Sequence, residues 1–200
     1  MWHGFALDIL RAMAGDTCYL GLPRPALEEI LGASGCFTLM QALWHRNGGA
    51  WATALEEREA VAAMAEEFGL TEQGSVLVDR YARLLEALDT RYPETRRLFV
   101  RVTWPHDLVQ ALLTQYLAGQ GIEAAARLAS AAVRGDSAAE SLGELTCLSE
   151  ATVLRIGSEL SQATSRGSWA SYDDEVRDEL EHLVQLYARA SELSHLVLIG

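Results

Sequence analysis

The longest apolar stretch of the chain lies between Trp104 and Gly121, and its pattern predicts a buried helix. Pro105 suits the first turn of a helix, where its missing N–H costs nothing, and Asp107 places a negative charge near the positive end of the helix. The apolar residues that follow cover nearly every side of the helix, which is typical of a helix surrounded by its neighbours. The stretch is too short to span a bilayer comfortably. We therefore expect residues 105–119 to form the central helix of the fold.

Apolar residues recur at helical spacing through most of the remaining chain, and glycine or proline separates one apolar segment from the next. Alanine, leucine, glutamate and arginine dominate, and this mixture favours helix. The expected fold class is therefore all-α, a helical bundle of about nine to eleven short helices in a single domain over residues 1–200. Polar breaks indicate a finer division into N-terminal helices (1–49), a central bundle (50–163) and a C-terminal helix (169–199).

The remaining segments complete the expected fold. Residues 98–104 alternate between apolar and polar positions as a strand does. Helix is preferred there, because residues 93–98 look like a first helical turn and a lone strand needs a partner. A minor strand over 98–104 is the alternative, and the only other strand-like run is 196–199. Residues 16–24 are expected to be a connector and 138–147 a short helix, followed by a second helix for which Ser149 is a good cap.

The charge of the chain excludes some classes of partner. With 28 acidic against 16 basic residues, the formal net charge is −12. Nucleic acids and anionic membranes attract positive surfaces, so neither is an expected partner. We expect another protein, a basic one being suited to the acidic surface, or a second copy of the chain as a homodimer. All 16 basic residues are arginine, which excludes Schiff-base chemistry and a phosphate-loop lysine.

Cysteine usage and the N-terminus bear on location. Cys18, Cys36 and Cys147 are scattered and lack the spacing of a metal or disulfide framework, which fits buried thiols in a reducing compartment. The first residues are apolar, but they have no basic lead-in and no convincing cleavage site, unlike a secretory signal. The expected location is cytoplasmic.

Candidate catalytic groups are few. His106 next to Asp107 could act as a general base that a carboxylate positions, although residues at a helix start are usually structural. The sequence has no nucleophile elbow and no glycine-rich phosphate loop. No catalytic or cofactor-binding residue is predicted, and no enzymatic activity is expected.

Two pairs of residues have a spacing known from metal sites. Glu179 with His182, and Glu192 with His195, show the ExxH spacing of di-iron helical proteins. Those sites combine pairs from different helices, whereas here both pairs lie on one helix and point to roughly opposite sides. No metal-binding residue is therefore predicted.

Residues 24–46 resemble a helix-turn-helix, because a helical segment, a glycine-containing turn and a second helical segment follow one another. With an all-helical remainder, this order would suit a TetR-like ligand-sensing transcriptional regulator. The second segment, however, carries only Arg46 at its far end and is otherwise dominated by large apolar residues. A helix that reads DNA needs polar and basic tips with basic flanks, so the regulator is an alternative and not the preferred function.

Arginine is concentrated between residues 80 and 101, where acidic residues are interleaved with it. Such mixtures often pair on a solvated helix face. The functional alternative is a site for a carboxylate, a phosphate or an acidic peptide, which arginine contacts bidentately. The candidate residues for that anion or acidic-peptide site are Arg96, Arg97 and Arg101.

The C-terminal helix and tail provide a second candidate surface. One heptad-like stripe of apolar residues on this helix is expected to pack against the rest of the domain. Other apolar residues lie beside the stripe and widen the apolar face of the helix. The last residues are apolar, although termini are usually polar and frayed. The candidate protein-interaction residues are Leu186, Leu193, Leu196, Val197 and Leu198. If the tail is core instead, deleting residues 195–200 would unfold the domain.

These features together favour a non-catalytic function. We expect a cytoplasmic, bacterial-type adaptor, chaperone or regulatory protein-interaction domain without cofactor or metal. A helical enzyme with dispersed active-site residues is the second alternative after the regulator, because one sequence does not reveal residues that converge from separate helices.

Overall fold

The structure, a computed structural model, describes residues 16–44, 58–67, 74–165 and 174–200. Within these residues it contains eight α-helices, one 3₁₀ helix and a five-stranded antiparallel sheet. The expected all-α helical bundle is therefore wrong, and the fold combines helices with a sheet. The apolar segment 1–15, on which the expectation of no secretory signal rests, lies outside the described residues. None of the described helices is both long enough and apolar enough to cross a membrane.

The strands come from distant parts of the chain. They are β1 (Thr17–Leu22), β2 (Phe99–Val102), β3 (Glu140–Leu142), β4 (Leu145–Leu148) and β5 (Leu196–Ile199). Their order across the sheet is β2-β1-β5-β4-β3, so β2 and β3 are the edges and β5 is the middle strand. The α-helices are α1 (Arg24–Gly32), α2 (Cys36–Ala42), α3 (Arg58–Glu67), α4 (Gly74–Arg91), α5 (His106–Gly119), α6 (Ala125–Arg134), α7 (Glu150–Thr164) and α8 (Asp174–Glu192), and the 3₁₀ helix spans Pro93–Arg97.

Helices cover both faces of the sheet. Successive residues of a strand point to opposite faces. Tyr19, Val197 and Ile199 accordingly pack with helices α5 to α8, whereas Leu20 and Leu198 pack with helices α1 to α4. Every residue of β1 and β5 is buried. A strand covered on both faces reads as a continuous apolar run without alternation, so its sequence period does not distinguish it from a buried helix.

Four segments differ from their predicted type. The C-terminal helix, expected over 169–199, ends at Glu192, and residues 196–199 form β5. Residues 16–24, expected as a connector, contain β1, and residues 138–147, expected as a helix, contain β3, a turn and most of β4. Within 98–104 the structure has the strand β2, preceded by the 3₁₀ helix. The predicted helix 105–119 forms as α5, but it belongs to one of the two helical layers. The inner strands of the sheet lie between those layers, so the fold is organised around the sheet and not around α5.

Helix α8 is held firmly against the rest of its layer. Gly157 of α7 lies so close to α8 that an added Cβ would be 2.6 Å from the carbonyl oxygen of Tyr187. The hydroxyl of Tyr187 donates to the carbonyl of Ala132 at 2.7 Å, and that of Tyr19 donates to the carbonyl of Val133 at 2.9 Å. Both acceptors belong to the last turn of α6, whose carbonyls have no partner within the helix. These hydrogen bonds join β1, α6 and α8, and they fix α8 relative to the sheet.

Candidate binding cleft at the sheet edge

An open cleft of about 670 Å³ runs along the outer side of β2. Because β2 is an edge strand, it has a strand neighbour on one side only, and its other side borders this cleft. We call it the edge cleft. It is lined by Glu94 and Arg97 of the 3₁₀ helix, by residues 98–101, and by His182, Gln185, Leu186 and Arg189 of α8.

The four α8 residues that line the cleft, here called the α8 row, share one face of the helix. Their spacing of three, one and three residues places them along neighbouring turns. His182, Gln185 and Arg189 are exposed, whereas Leu186 is 3% exposed. Leu186 faces the cleft together with the buried Leu98. The cleft therefore has an apolar base and a polar rim.

The main chain of β2 presents hydrogen-bonding groups at the open edge. The N–H of Gly21 donates to the carbonyl of Leu98 at 2.7 Å, while Cys18 exchanges both of its main-chain hydrogen bonds with Gly200 on the β5 side. Main-chain groups alternate in direction along an antiparallel pair. The N–H and C=O groups of Phe99 and Arg101 therefore point away from β1. No described residue bonds to them.

Arginine side chains at the cleft differ in how far they are already paired. Arg97 is exposed and makes no hydrogen bond or ion pair with the described residues. The Nε of Arg101 donates to Asp16 at 2.8 Å, and Nη1 of Arg189 donates to Glu192 at 2.7 Å. These hydrogen bonds raise the pKa of Arg101 and of Arg189, so both guanidinium groups stay charged. Arg97 is the group most available to an incoming anion.

Contacts of α8 at both ends of the cleft set its width. At one end, the carboxylate of Glu179 accepts hydrogen bonds from the N–H of Thr103 at 3.0 Å and from its hydroxyl at 2.6 Å. At the other end, Arg189 lies 3.7 Å from Glu94 of the 3₁₀ helix. Helix α8 is therefore held beside β2 by two hydrogen bonds at the Thr103 end and by an exposed ion pair at the Glu94 end.

The structure brings together two of the three arginines predicted as an anion site. Arg97 and Arg101 line the edge cleft, whereas Arg96 forms an ion pair with Asp89 of α4 and does not line it. Of the α8 row, sequence reasoning named only Leu186 as a protein-interaction residue, and it did not place the row in this site. Its spacing on one helix face was visible in the sequence, but its position beside β2 is a tertiary contact that spacing does not reveal.

Most of the residues predicted as a protein-interaction surface lie in the interior. Leu196, Val197 and Leu198 belong to β5 and are 0% exposed. Leu193 is half-buried in the turn before β5, and only Leu186 borders a cleft. These residues do not form the exposed apolar patch expected at the terminus. Their apolar side chains are covered because a helical layer packs on each face of the strand.

His106 is not positioned by Asp107. Its Nε2 contacts the hydroxyl of Thr17, while Asp107 forms an ion pair with Arg134. Burial and the nearby charge of Arg134 lower the pKa of His106, so its imidazole is mainly neutral at pH 7. This arrangement differs from a general base that a carboxylate orients.

Neither ExxH pair converges on a common point. Glu179 is bound to Thr103 while His182 borders the edge cleft, and Nδ1 of the buried His195 is 2.9 Å from the carbonyl of Leu193. Across the described ranges, no group of three or more His, Cys, Asp or Glu residues is placed to hold a metal ion.

A second cleft of about 490 Å³ lies between α6 and α7 and also contains arginine. Arg127 and Arg155 line it, and Arg155 donates to Asp136 at 2.8 Å. Its described lining residues all lie in α6, in α7 or in the loop that follows α6, so it offers arginine side chains without a strand edge. It therefore provides a matched control for the edge cleft.

Comparisons with protein-family models, curated proteins and solved structures found no match.

Proposed function

We propose that this protein is a non-catalytic interaction domain of the adaptor or chaperone type, which binds an acidic segment of another protein in the edge cleft. The observation that carries the proposal is the meeting of Arg97, Arg101 and Arg189 at an open strand edge.

The contrast in charge supports an acidic protein partner. The whole chain is strongly acidic, with a formal net charge of −12, whereas the cleft lining carries three arginines against Glu94 alone. A long polyanion such as nucleic acid would be repelled by that surface, whereas a short acidic segment need only enter the arginine-lined cleft. Guanidinium groups bind carboxylates bidentately, and the apolar base at Leu98 and Leu186 suits a peptide better than a free ion.

Charge also disfavours a second copy of the chain as the occupant. Edge-to-edge pairing of two copies through β2 would bring their arginines together, and each copy carries a net charge of −12. The regulator alternative is less favoured. Helices α1 and α2 follow each other across a short turn as its motif requires, but α2 has no basic residue and packs Cys36, Leu39 and Met40 into the core. A cytoplasmic location belongs to the proposal, since Cys18, Cys36 and Cys147 are free thiols, as in reducing compartments.

The test is a titration with a labelled glutamate–valine peptide of about nine residues that repeats Glu-Glu-Val, a length typical of one long strand. Because the side chains of a strand alternate between its two faces, this repeat places glutamate on both faces and valine between the glutamates. The triple variant Arg97→Gln, Arg101→Gln, Arg189→Gln removes the arginines of the cleft. Because a hydrogen bond to a charged group contributes about 1.5–3 kcal/mol, we expect affinity to fall about tenfold or more, as measured by fluorescence anisotropy.

The matched control is the triple variant Arg83→Gln, Arg127→Gln, Arg155→Gln, which changes the net charge equally at exposed or second-cleft positions. It should bind the peptide as the wild type does, within about twofold. Equal loss in both variants, or no binding of the peptide by the wild type, would overturn the proposal.

A further inference from the structure

Resting on the proposed function, we infer that the acidic segment binds as an added β-strand. It extends the sheet beyond β2 by pairing with the main-chain groups of Phe99 and Arg101.

The first support is the state of the edge itself. Natural edge strands are commonly protected by proline, by a bulge, by a covering element, by short length or by charged side chains. β2 is short and carries Arg101, whose positive charge opposes a cationic strand but attracts an acidic one. The β2 sequence, FVRV, contains no proline, and its register with β1 runs without interruption from Thr17 opposite Val102 to Leu20 opposite Phe99. An edge that is regular and has outward main-chain groups is a template for an extended peptide.

The second support is the position of the cleft arginines, which lie where the side chains of an added strand would reach them. Side chains of an added strand would alternate between the two faces of the sheet. On the α8 face they would meet Val100 and Leu186, with Arg97 and Arg189 towards the Leu98 end of the strand. On the opposite face they would lie beside Phe99 and Arg101, since Phe99 packs with the α1 to α4 layer.

This placement specifies the chemistry of the segment. An apolar residue would face Val100 and Leu186, and an acidic residue on the same face would reach Arg97 and Arg189. A second acidic residue, on the other face, would reach Arg101 and share its guanidinium with Asp16. The occupant is thus an extended segment with acidic residues on both of its faces and one apolar residue between them.

The experiment is an N-methylation scan of the same glutamate–valine peptide, in which each amide in turn loses its donor. Paired amides of an added strand recur at every second residue. Methylation at those positions should weaken binding to the wild-type protein about tenfold, and methylation at the intervening positions should change it little, because a methyl group there points to solvent.

Each other result has a distinct meaning. A peptide that binds with no alternating sensitivity to methylation would overturn strand addition while leaving the acidic-segment function intact. Failure of the unmethylated peptide to bind would overturn the function on which this inference rests. A stable dimer of the free protein in sedimentation equilibrium, dissociated by the unmethylated peptide, would show that a second copy occupies the edge and would overturn the assigned occupant.

Discussion

Strands β5 and β2 belong to one sheet but meet different surroundings. β5 pairs with β1 on one side and β4 on the other, and all of its residues are buried between helical layers. β2 pairs with β1 alone, and Phe99, Val100 and Arg101 are half-buried or exposed beside the edge cleft. The main-chain N–H and C=O groups of β5 therefore bond to neighbouring strands on both sides, whereas half of these groups in β2 point away from the sheet.

This difference separates stability from binding. Changes in β5 remove apolar contacts from both helical layers and should lower the free energy of unfolding. Changes at the edge cleft remove side chains that reach solvent and should lower the affinity for a partner while leaving the fold intact.

Deleting residues 195–200 should give the largest effect, which is loss of the folded state. The deletion removes the middle strand, leaving β1 and β4 without a partner between them and both helical cores open. Circular dichroism should show loss of cooperative thermal unfolding. A truncated protein that still unfolds cooperatively near the wild-type midpoint would contradict the position given to β5.

A graded version of this test uses single leucines. Leu198→Ala should lower the free energy of unfolding by about 2–5 kcal/mol, because the side chain is fully buried. The matched control, Leu154→Ala, changes a leucine that is 57% exposed and should cost less than about 0.5 kcal/mol. Urea denaturation measures both values, and equal values would contradict the burial of β5.

The cysteines of the inner strands predict a moderate dependence of stability on alkaline pH. Burial raises the pKa of Cys18 in β1 and of Cys147 in β4 from 9.0 to about 11. The unfolded chain therefore releases these protons at lower pH than the folded chain does. Their contribution to stability is complete below about pH 9 and is lost as the pH rises towards about 11.

Urea denaturation at several alkaline pH values checks this expectation. The free energy of unfolding should fall across that window, and the fall should be shallower in a Cys18→Ala variant. An unchanged slope in the variant would show that Cys18 does not carry the effect.

The smallest effect on stability is expected from the cleft arginines. Exposed ion pairs contribute only about 0–1 kcal/mol, so the triple variant at Arg97, Arg101 and Arg189 should keep nearly the wild-type melting temperature. This property makes its expected loss of peptide binding informative. A large fall in melting temperature would mean that these arginines hold the fold together, and the separation drawn here would fail.

Helices with a strong local pattern could be predicted from the sequence, whereas the strands could be predicted only in part. The strand-like runs 98–104 and 196–199 contain β2 and β5, but β1, β3 and β4 were missed. Residues 105–119 and the C-terminal helix carry apolar residues at helical spacing, and Ser149 accepts the hydrogen bond from the N–H of Thr152 that its role as a cap requires. The strand β1 pairs with β2 and β5, which lie far along the chain. Because that pairing is non-local and both faces are covered, no local period marks it.

The candidate site could be predicted in part for a related reason. Arg97 and Arg101 could be predicted as site residues because arginine is frequent near them, and that frequency is a local property of the sequence. Arg96 is adjacent in sequence, yet the 3₁₀ turn directs it to Asp89. Arg189 joins the site only because α8 packs beside β2, which is a tertiary contact. The density of arginine in the sequence therefore indicated the region of the site, but the tertiary structure determines which arginines line the cleft.

The two edge strands of the sheet, β2 and β3, differ in the charges that lie beside them. β3 spans only Glu140–Leu142, and Glu140 and Glu144 are exposed beside it. A short edge with negative charges would repel an acidic segment, and such features protect edges against pairing. β2 instead adjoins a cleft with Arg97 and Arg101. Strand addition should therefore occur at β2 and not at β3.

Residue-resolved amide hydrogen exchange, with and without the glutamate–valine peptide, tests the central claim most directly. The amides of Phe99 and Arg101 should exchange rapidly in the free protein and slowly in the complex, since the peptide supplies their missing acceptors. Val100, already paired with β1, should be slow in both states, and Ser141 at the β3 edge should not change. Binding of the peptide without protection at Phe99 and Arg101, or with equal protection at Ser141, would contradict the account.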